Sequence, residues 1–225
     1  MQIRKLALLL SALCTAGAAL ADITVGVSVS ATGPAASLGI PEKNTFALLP
    51  QSIAGEKVKW IVLDDATDPT AGVKNVRKMI SEDKADVLIA ATATPVSMAI
   101  LEVAFETKTA QIAMAPVPPA GEKSAWIFST PQNFGLMATA IAEHMAASGV
   151  KSIGFIGYAD PYGELWLKAM QGAADAKGIK VTAVERYQRN DTSVTGQALK
   201  IMAANPDAVL VAGSGTPAVL PQSTL

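Results

Sequence analysis

Residues 57–90, KVKWIVLDDATDPTAGVKNVRKMISEDKADVLIA, hold one complete strand-helix-strand unit. Residues 57–63 alternate and then turn wholly apolar, the pattern of a strand covered on both faces. In the DDATDP that follows, Asp68 precedes Pro69 as N-cap and first helical residue, and Val73, Val76 and Ile80 then recur at helical spacing. That helix is predicted to end near Asp83, and VLIA at 87–90 reads as a second buried strand. Strands joined by a crossover helix pair in parallel, which places helices on both faces of a sheet.

The alternation continues in both directions. Residues 23–29 (ITVGVSV) form a β-rich apolar run that closes in the turn-forming SATGP of 30–34. The next helical signal is weak because Pro41 and Pro50 bracket it, although Phe46, Leu49 and Ile53 keep helical spacing. Beyond residue 90, a helix starting near Pro95 carries Val96, Ile100 and Val103 on one face, and IAMA at 112–115 is strand again. A proline-rich link at 116–119 and a short apolar piece at 126–128 lead to a helix over 134–147. A second series follows, with strands at 152–156, 181–185 and 208–211 and helices at 162–177 and 194–205. Two such series predict an α/β protein of two lobes with parallel sheets, residues 22–125 and 126–225, the change-over falling between 120 and 131. About three strands are few for a self-sufficient sheet, so the second lobe is expected to be incomplete and the protein truncated at its C-terminus.

Composition narrows the function. With 225 residues, 50% apolar and 16% charged, and with one Cys, neither a disordered protein nor a disulfide scaffold fits. The net charge of -1 includes no basic excess to attract nucleic acid. A single histidine, His144, and a single cysteine, Cys14, argue against multi-histidine zinc sites and four-cysteine clusters, and no metal or cofactor is expected. Residues 1–21 run from Arg4 and Lys5 through an apolar stretch to small residues, the three-part pattern of a secretory signal peptide with cleavage between Ala21 and Asp22. Leu13 before Cys14 argues against lipidation. The 204 residues after the signal have a net charge of -3 and no cysteine, so an exported product relies on its core alone.

In open α/β sheets ligands sit on loops after the carboxyl ends of strands. Those loops are 30–37, 64–68, 90–95, 115–119, 157–162 and 213–217. ATATP at 91–95 places free N–H groups and threonine hydroxyls at a helix N-terminus, which suits an anion, although Thr94 could equally cap its own helix. There is no G-x-S-x-G elbow, no G-x-G-x-x-G after a strand and no phosphate-cradling G-x-x-x-x-G-K. His144 falls mid-helix, away from any strand-end loop, and Asp64 with Asp65 reads as loop chemistry ahead of a capped helix more readily than as a cation site. The pattern is a binding surface with no catalytic residues.

Five ordered segments carry a family resemblance: ITVGVSVSATGPAASLG, VLDDATDPTAGVKNVRKMI, LIAATATPVSMAI, GFIGYADPYGELW and ANPDAVLVAGSGTP. Together they resemble the branched-chain amino-acid (leucine-binding) type of periplasmic substrate-binding protein of ABC transporters, over essentially all of 22–225. The resemblance implies a type I periplasmic-binding-protein fold with two Rossmann-like lobes that close on a small ligand. It implies further that Thr94, with Thr92 in the same loop, stands where relatives hold the ligand carboxylate. The following loop contributes Ala115, Pro116 and Val117, here unusually proline-rich. Tyr162 matches the aromatic residue of a D-x-Y-G motif, with Tyr158 at the same strand end. Gly213 and Ser214 match the last loop, and Leu38 stands where some relatives carry a ligand-facing aromatic. The implied function is capture of a small carboxylate, a branched-chain amino acid or an aromatic or aliphatic acid, in the periplasm and its delivery to the transmembrane subunits of an ABC permease. An exported α/β hydrolase-like enzyme and a ligand-sensing module of a receptor remain as alternatives.

Overall fold

A computed structural model describes residues 22–118 and 121–225. The signal-peptide reading of 1–21 lies outside them. The first sheet takes strands β1 (Ile23–Val29), β2 (Ser52–Ile53), β3 (Glu56–Asp64), β4 (Val87–Ala90), β5 (Ala110–Ala113) and β6 (Ile127–Ser129), in the order β2-β3-β1-β4-β5-β6. All neighbours run parallel except β2, which folds back on β3. Helices α1 (Ala36–Phe46), α2 (Pro69–Ser81) and α3 (Thr94–Thr107) fill the crossovers. The second sheet has the parallel order β8-β7-β9, from β7 (Ser152–Tyr158), β8 (Lys180–Tyr187) and β9 (Ala208–Ala212). Around it lie α4 (Phe134–Ala147), α5 (Pro161–Ala176), α6 (Thr195–Ala203) and the short α7 (Val219–Thr224).

The continuous apolar reading of β1 has a direct cause. Val25, Val27 and Val29 face a core with Phe46 of α1 and Val58 of β3. On the opposite face, α2 and α3 supply Val76, Met79, Val96 and Ile100 against Leu88 and Ala90 of β4. Gly26 lets this face close: a Cβ there would meet the Met79 sulfur at 2.8 Å. In the second lobe α4 and α5 pack Phe134, Trp166 and Met170 on Ile153 and Phe155, while Ile156, Tyr158, Tyr187 and Val194 form the core of the other face.

Both lobes start a key helix in the same way. Asp68 accepts from the N–H groups of Thr70 (2.6 Å) and Ala71 (2.9 Å) ahead of Pro69, and Asp160 accepts from Tyr162 (2.8 Å) and Gly163 (3.2 Å) ahead of Pro161. An N-cap carboxylate satisfies otherwise orphaned donors, and proline at N1 forfeits no bond.

Three expectations need adjusting. The helix of the first crossover is α1, which begins at Ala36, runs through Pro41 and ends at Phe46, so Leu49 and Ile53 fall outside it and Ile53 joins β2. Phe46 and Leu49 pack against β1 and β3 while Ile53 is exposed, so the spacing there does not mark a continuous helix. Ile127, Phe128 and Ser129 pair with Gln111, Ile112 and Ala113, so the first sheet includes three residues beyond the 125/126 boundary drawn from sequence. β8 continues to Tyr187, two residues past its expected end, and this moves the following loop.

Candidate functional site

The carboxyl ends of the two sheets face each other across a cleft of about 350 Å³. Lobe one contributes the start of α1, the β4-α3 loop and the segment after β5. Lobe two contributes α4, α5, and the loops after β8 and β9. A larger apolar groove of about 680 Å³ lies alongside, lined by Val117, Pro118, Leu136 and Leu165 among others. Its polar lining is Ser129, Gln132, Asn133 and Lys168, with no loop from the second sheet's strand ends. The smaller cleft combines apolar walls with charged and hydroxyl groups, the usual makeup of a small-molecule site, and is the candidate.

On the lobe-one side the polar groups are tied to one another. Thr92 Oγ1 accepts from the Ser30 N–H (2.9 Å) and donates to Glu42 Oε2 (2.5 Å). Burial pushes the Glu42 carboxyl above its ordinary pKa, the Thr92 bond opposes this, and the charge of Asp65 adds to it. Asp65 is fully buried beneath the cleft floor, where it accepts from Ser28 Oγ (2.8 Å), Ser30 Oγ (2.6 Å) and the Thr67 N–H (3.0 Å). Burial raises its pKa too, against those hydrogen bonds. Asp64 accepts from Thr32 Oγ1 (2.7 Å) and the Ala66 N–H (2.9 Å). Both aspartates of the DD pair thus hold the β1 and β3 loop ends together.

Thr94 does not cap α3. The N-cap is Ala93, without a side-chain bond, while Thr94 Oγ1 donates to the Pro116 carbonyl (3.1 Å). Ser97 Oγ accepts from the Ala91 N–H (2.7 Å) and donates to the Ala91 carbonyl (3.0 Å), and buried Gln111 donates to the carbonyls of Ala90 (2.7 Å) and Ser97 (3.0 Å). The loop at the start of α3 is therefore held rigid by its own side chains.

The lobe-two side centres on Arg189. Its Nε donates to Asp160 Oδ2 (2.6 Å), and its guanidinium carbon lies 4.0 Å from the ring centre of Tyr158 and 5.7 Å from that of Tyr162. The side chain is only 11% exposed, and one terminal nitrogen is buried without a hydrogen-bond partner among the described residues. Tyr158 Oη donates to the Ser214 carbonyl (2.6 Å) and accepts from the Ser214 N–H (3.2 Å). Tyr187 packs behind it with its ring tilted, ring centres 5.0 Å apart, and burial together with Tyr158 pushes its hydroxyl pKa upward.

Of the residues singled out from sequence, Leu38, Thr92, Thr94, Ala115, Pro116, Tyr162 and Ser214 come together around this cleft. Three do not line it. Tyr158 is buried behind Arg189; Gly213 packs against Ala218 and the Tyr187 hydroxyl; Val117 turns into a core cluster with Leu101, Ala113 and Ile127. Two charged residues escape the sequence reading, Glu42 and Arg189. Arg189 lies in the loop after β8, which does not count among the strand-end loops when the strand is ended at Glu185. Glu42 follows Pro41, in a stretch whose helical signal is weak.

A family model described as periplasmic binding protein matches residues 22–222. The protein belongs to this family, whose members are non-enzymatic, extracytoplasmic binding proteins. Among solved structures it is similar to an extracellular ligand-binding receptor from Rhodopseudomonas palustris, with 49% identity and a TM-score of 0.89 over 91% of this chain and 57% of that one. It is also similar in fold to a solute-binding protein of an ABC transporter from Rhodopseudomonas palustris BisB5 in complex with 3,4-dihydroxybenzoic acid, at 24% identity, a TM-score of 0.76, 84% of this chain and 53% of that one. A leucine-binding protein from Thermotoga maritima is comparable, at 20% identity, a TM-score of 0.75, 83% of this chain and 55% of that one. The last two, at such identity, speak for the fold alone. The protein spans little more than half the length of these structures. None of the curated proteins matches it.

Proposed function

We propose that this protein carries the ligand cleft of a periplasmic solute receptor, exported by residues 1–21 with cleavage between Ala21 and Asp22, that captures a small organic carboxylate and presents it to an ABC permease. The observation that carries the reading is Arg189: a desolvated guanidinium in the cleft between two lobes, with Nε paired to Asp160 and a terminal nitrogen that has no hydrogen-bond partner among the described residues. A buried unsatisfied donor on a cation costs stability unless an anion meets it, and arginine matches a carboxylate in two-point geometry. The cleft walls at Leu38, Met114, Met137 and Tyr162 suit an apolar body. Asp160, the acidic group beside Arg189, already accepts from two N–H groups and the guanidinium.

Lobe closure on the ligand would be read by the permease as the loaded state. The test is thermal unfolding of the protein with a panel of aromatic acids, aliphatic acids and branched-chain amino acids. A ligand at 100 times its Kd stabilises by about 2.7 kcal/mol, roughly 5–10 °C in Tm for a protein of this size. A shift with one or more acids, abolished in Arg189→Gln, is the expected result. No shift with any member would overturn the reading.

A further inference from the structure

We infer that Asp160 is a positioning residue, which acts on the ligand through Arg189 by holding its guanidinium at the cleft wall in one orientation. The inference rests on the reading of Arg189 above and assigns the residue that makes that arginine effective.

Asp68 and Asp160 begin their helices alike. Each stands before a proline, and its Oδ1 takes both cap N–H groups, those of Thr70 and Ala71 in α2 and of Tyr162 and Gly163 in α5. The surroundings separate them. Asp68 is exposed and forms no ion pair among the described residues. Asp160 is 18% exposed, and its Oδ2 accepts from Arg189 Nε at 2.6 Å. Capping needs only one acceptor atom, so the second oxygen of Asp160 serves the guanidinium alone. Two backbone N–H groups pin Oδ1, which limits rotation of the carboxylate and makes Oδ2 a rigid anchor.

The other supports of Arg189 leave this anchor a task. Its guanidinium carbon lies 4.0 Å from the Tyr158 ring centre and 5.7 Å from that of Tyr162. Contact with a ring face leaves a guanidinium free to turn over it, and the bond from Nε removes that freedom. The backbone beneath is fixed as well. The Gln188 N–H donates to Asp191 Oδ2 (2.7 Å) and the Asp191 N–H to the Gln188 carbonyl (3.1 Å), so Arg189 is the second residue of a closed turn. The Ala159 N–H donates to the Tyr187 carbonyl (2.8 Å), which joins the two loops that carry Asp160 and Arg189. With Nε committed, the terminal nitrogens remain for an acceptor on the ligand, and one of them has no partner among the described residues. An acid that merely neutralised Arg189 would oppose an anionic ligand, and its removal would strengthen binding. Positioning predicts the reverse.

Asp160→Asn separates the two tasks. Asparagine caps helices as well as aspartate does, and with its amide oxygen on the α5 N–H groups its NH2 meets Arg189 Nε, donor against donor. Asp68→Asn is the control that alters a cap alone. The probes, by calorimetry, are benzoate, 3-phenylpropionate, hexanoate and leucine. At least one is expected to bind the wild type, about 10- to 100-fold more weakly Asp160→Asn, and not Arg189→Gln. Asp68→Asn is expected to stay within about 2-fold of the wild type. Far-UV circular dichroism establishes that each variant is folded. Proton-nitrogen NMR of the wild type gives a readout independent of any variant's stability. The Nε–H signal of Arg189, assigned by its loss in Arg189→Gln, is expected to be protected from water exchange both without and with the bound probe. A loss in Asp160→Asn no greater than in Asp68→Asn, tighter binding in Asp160→Asn, or an Nε–H signal that disappears on binding overturns the role of Asp160 and leaves the carboxylate reading standing. Affinity unchanged in Arg189→Gln, or no binding of any probe, overturns both.

Discussion

The guanidinium of Arg189 is stacked 4.0 Å from the ring centre of Tyr158, and the hydroxyl of that same tyrosine is bonded to both the N–H and the carbonyl of Ser214. One side chain therefore positions the cleft's cation and also fixes the loop after β9. Tyr158→Phe keeps the stacking surface and removes both bonds to Ser214. The expected cost is about 1 kcal/mol in unfolding free energy with a several-fold loss of ligand affinity, whereas Tyr158→Ala, which empties a fully packed site, is expected to cost about 3–5 kcal/mol. Denaturant unfolding of the pair checks this, and equal effects of the two variants would argue against the dual role.

The lobes touch through a well-defined polar contact at the cleft rim, where the Thr216 N–H donates to Ser37 Oγ at 3.0 Å. Gly215, at φ +67, brings the backbone within reach; a Cβ there would lie 3.0 Å from the same oxygen. If this bond belongs to the closed arrangement, Ser37→Ala lowers the closed population by about 0.5–1.5 kcal/mol and speeds ligand release roughly 2- to 10-fold. Stopped-flow dissociation measures it, and an unchanged off-rate would contradict the assignment.

Much of this architecture is legible in the sequence because its physics is local. The apolar run of β1 and the Asp68-Pro69 start of α2 follow from burial and capping, and the structure reproduces both. Thr92 stands out because strand ends in α/β sheets are where side chains converge, and Tyr162 and Ser214 because the segments that hold them resemble the family's. Arg189 does not, because the end of β8 is set by pairing of Tyr187 with Tyr158 in β7, a contact between residues far apart in sequence. Glu42 is equally hidden, since its meaning depends on Thr92, fifty residues away, and on a helix that accommodates Pro41 through packing. Val117 is misplaced from sequence because a loop residue after a strand can turn to the core or to the cleft, and only tertiary packing decides which.

Two glycines reveal an arrangement repeated in both lobes. A Cβ on Gly39 would overlap the carbonyl of Ser30, and one on Gly163 would overlap the carbonyl of Tyr158, each at the end of the lobe's first strand. Neither helix could sit so near its strand with a larger residue. Gly39→Ala and Gly163→Ala are each expected to destabilise by about 1–3 kcal/mol or more, and Gly172→Ala, which meets nothing within 4 Å, to be neutral or mildly stabilising. Urea titrations of the three variants distinguish these outcomes.

Asp65 gives a pH dependence of defined sign. Burial raises its folded-state pKa above the unfolded value, so the folded protein holds the proton to higher pH. Its contribution to stability is complete below the ordinary aspartate range and declines as pH rises through the raised value. The difference in unfolding free energy between wild type and Asp65→Asn is therefore expected to fall as pH rises above the ordinary aspartate range of about 4. Asp207, whose pKa is lowered by hydrogen bonds from Lys151 and Ser152, acts in the opposite sense, losing its contribution as pH falls, and cancels in this difference. A difference that grows with pH would contradict the burial argument.

The most direct test of the account is the position of the carboxylate in a crystal structure of the protein with a bound acid. The prediction is a carboxylate oxygen roughly 2.7–3.2 Å from a terminal nitrogen of Arg189. A carboxylate seated instead on the first turn of α3 at Thr94, with Arg189 making no contact to the ligand, would contradict it.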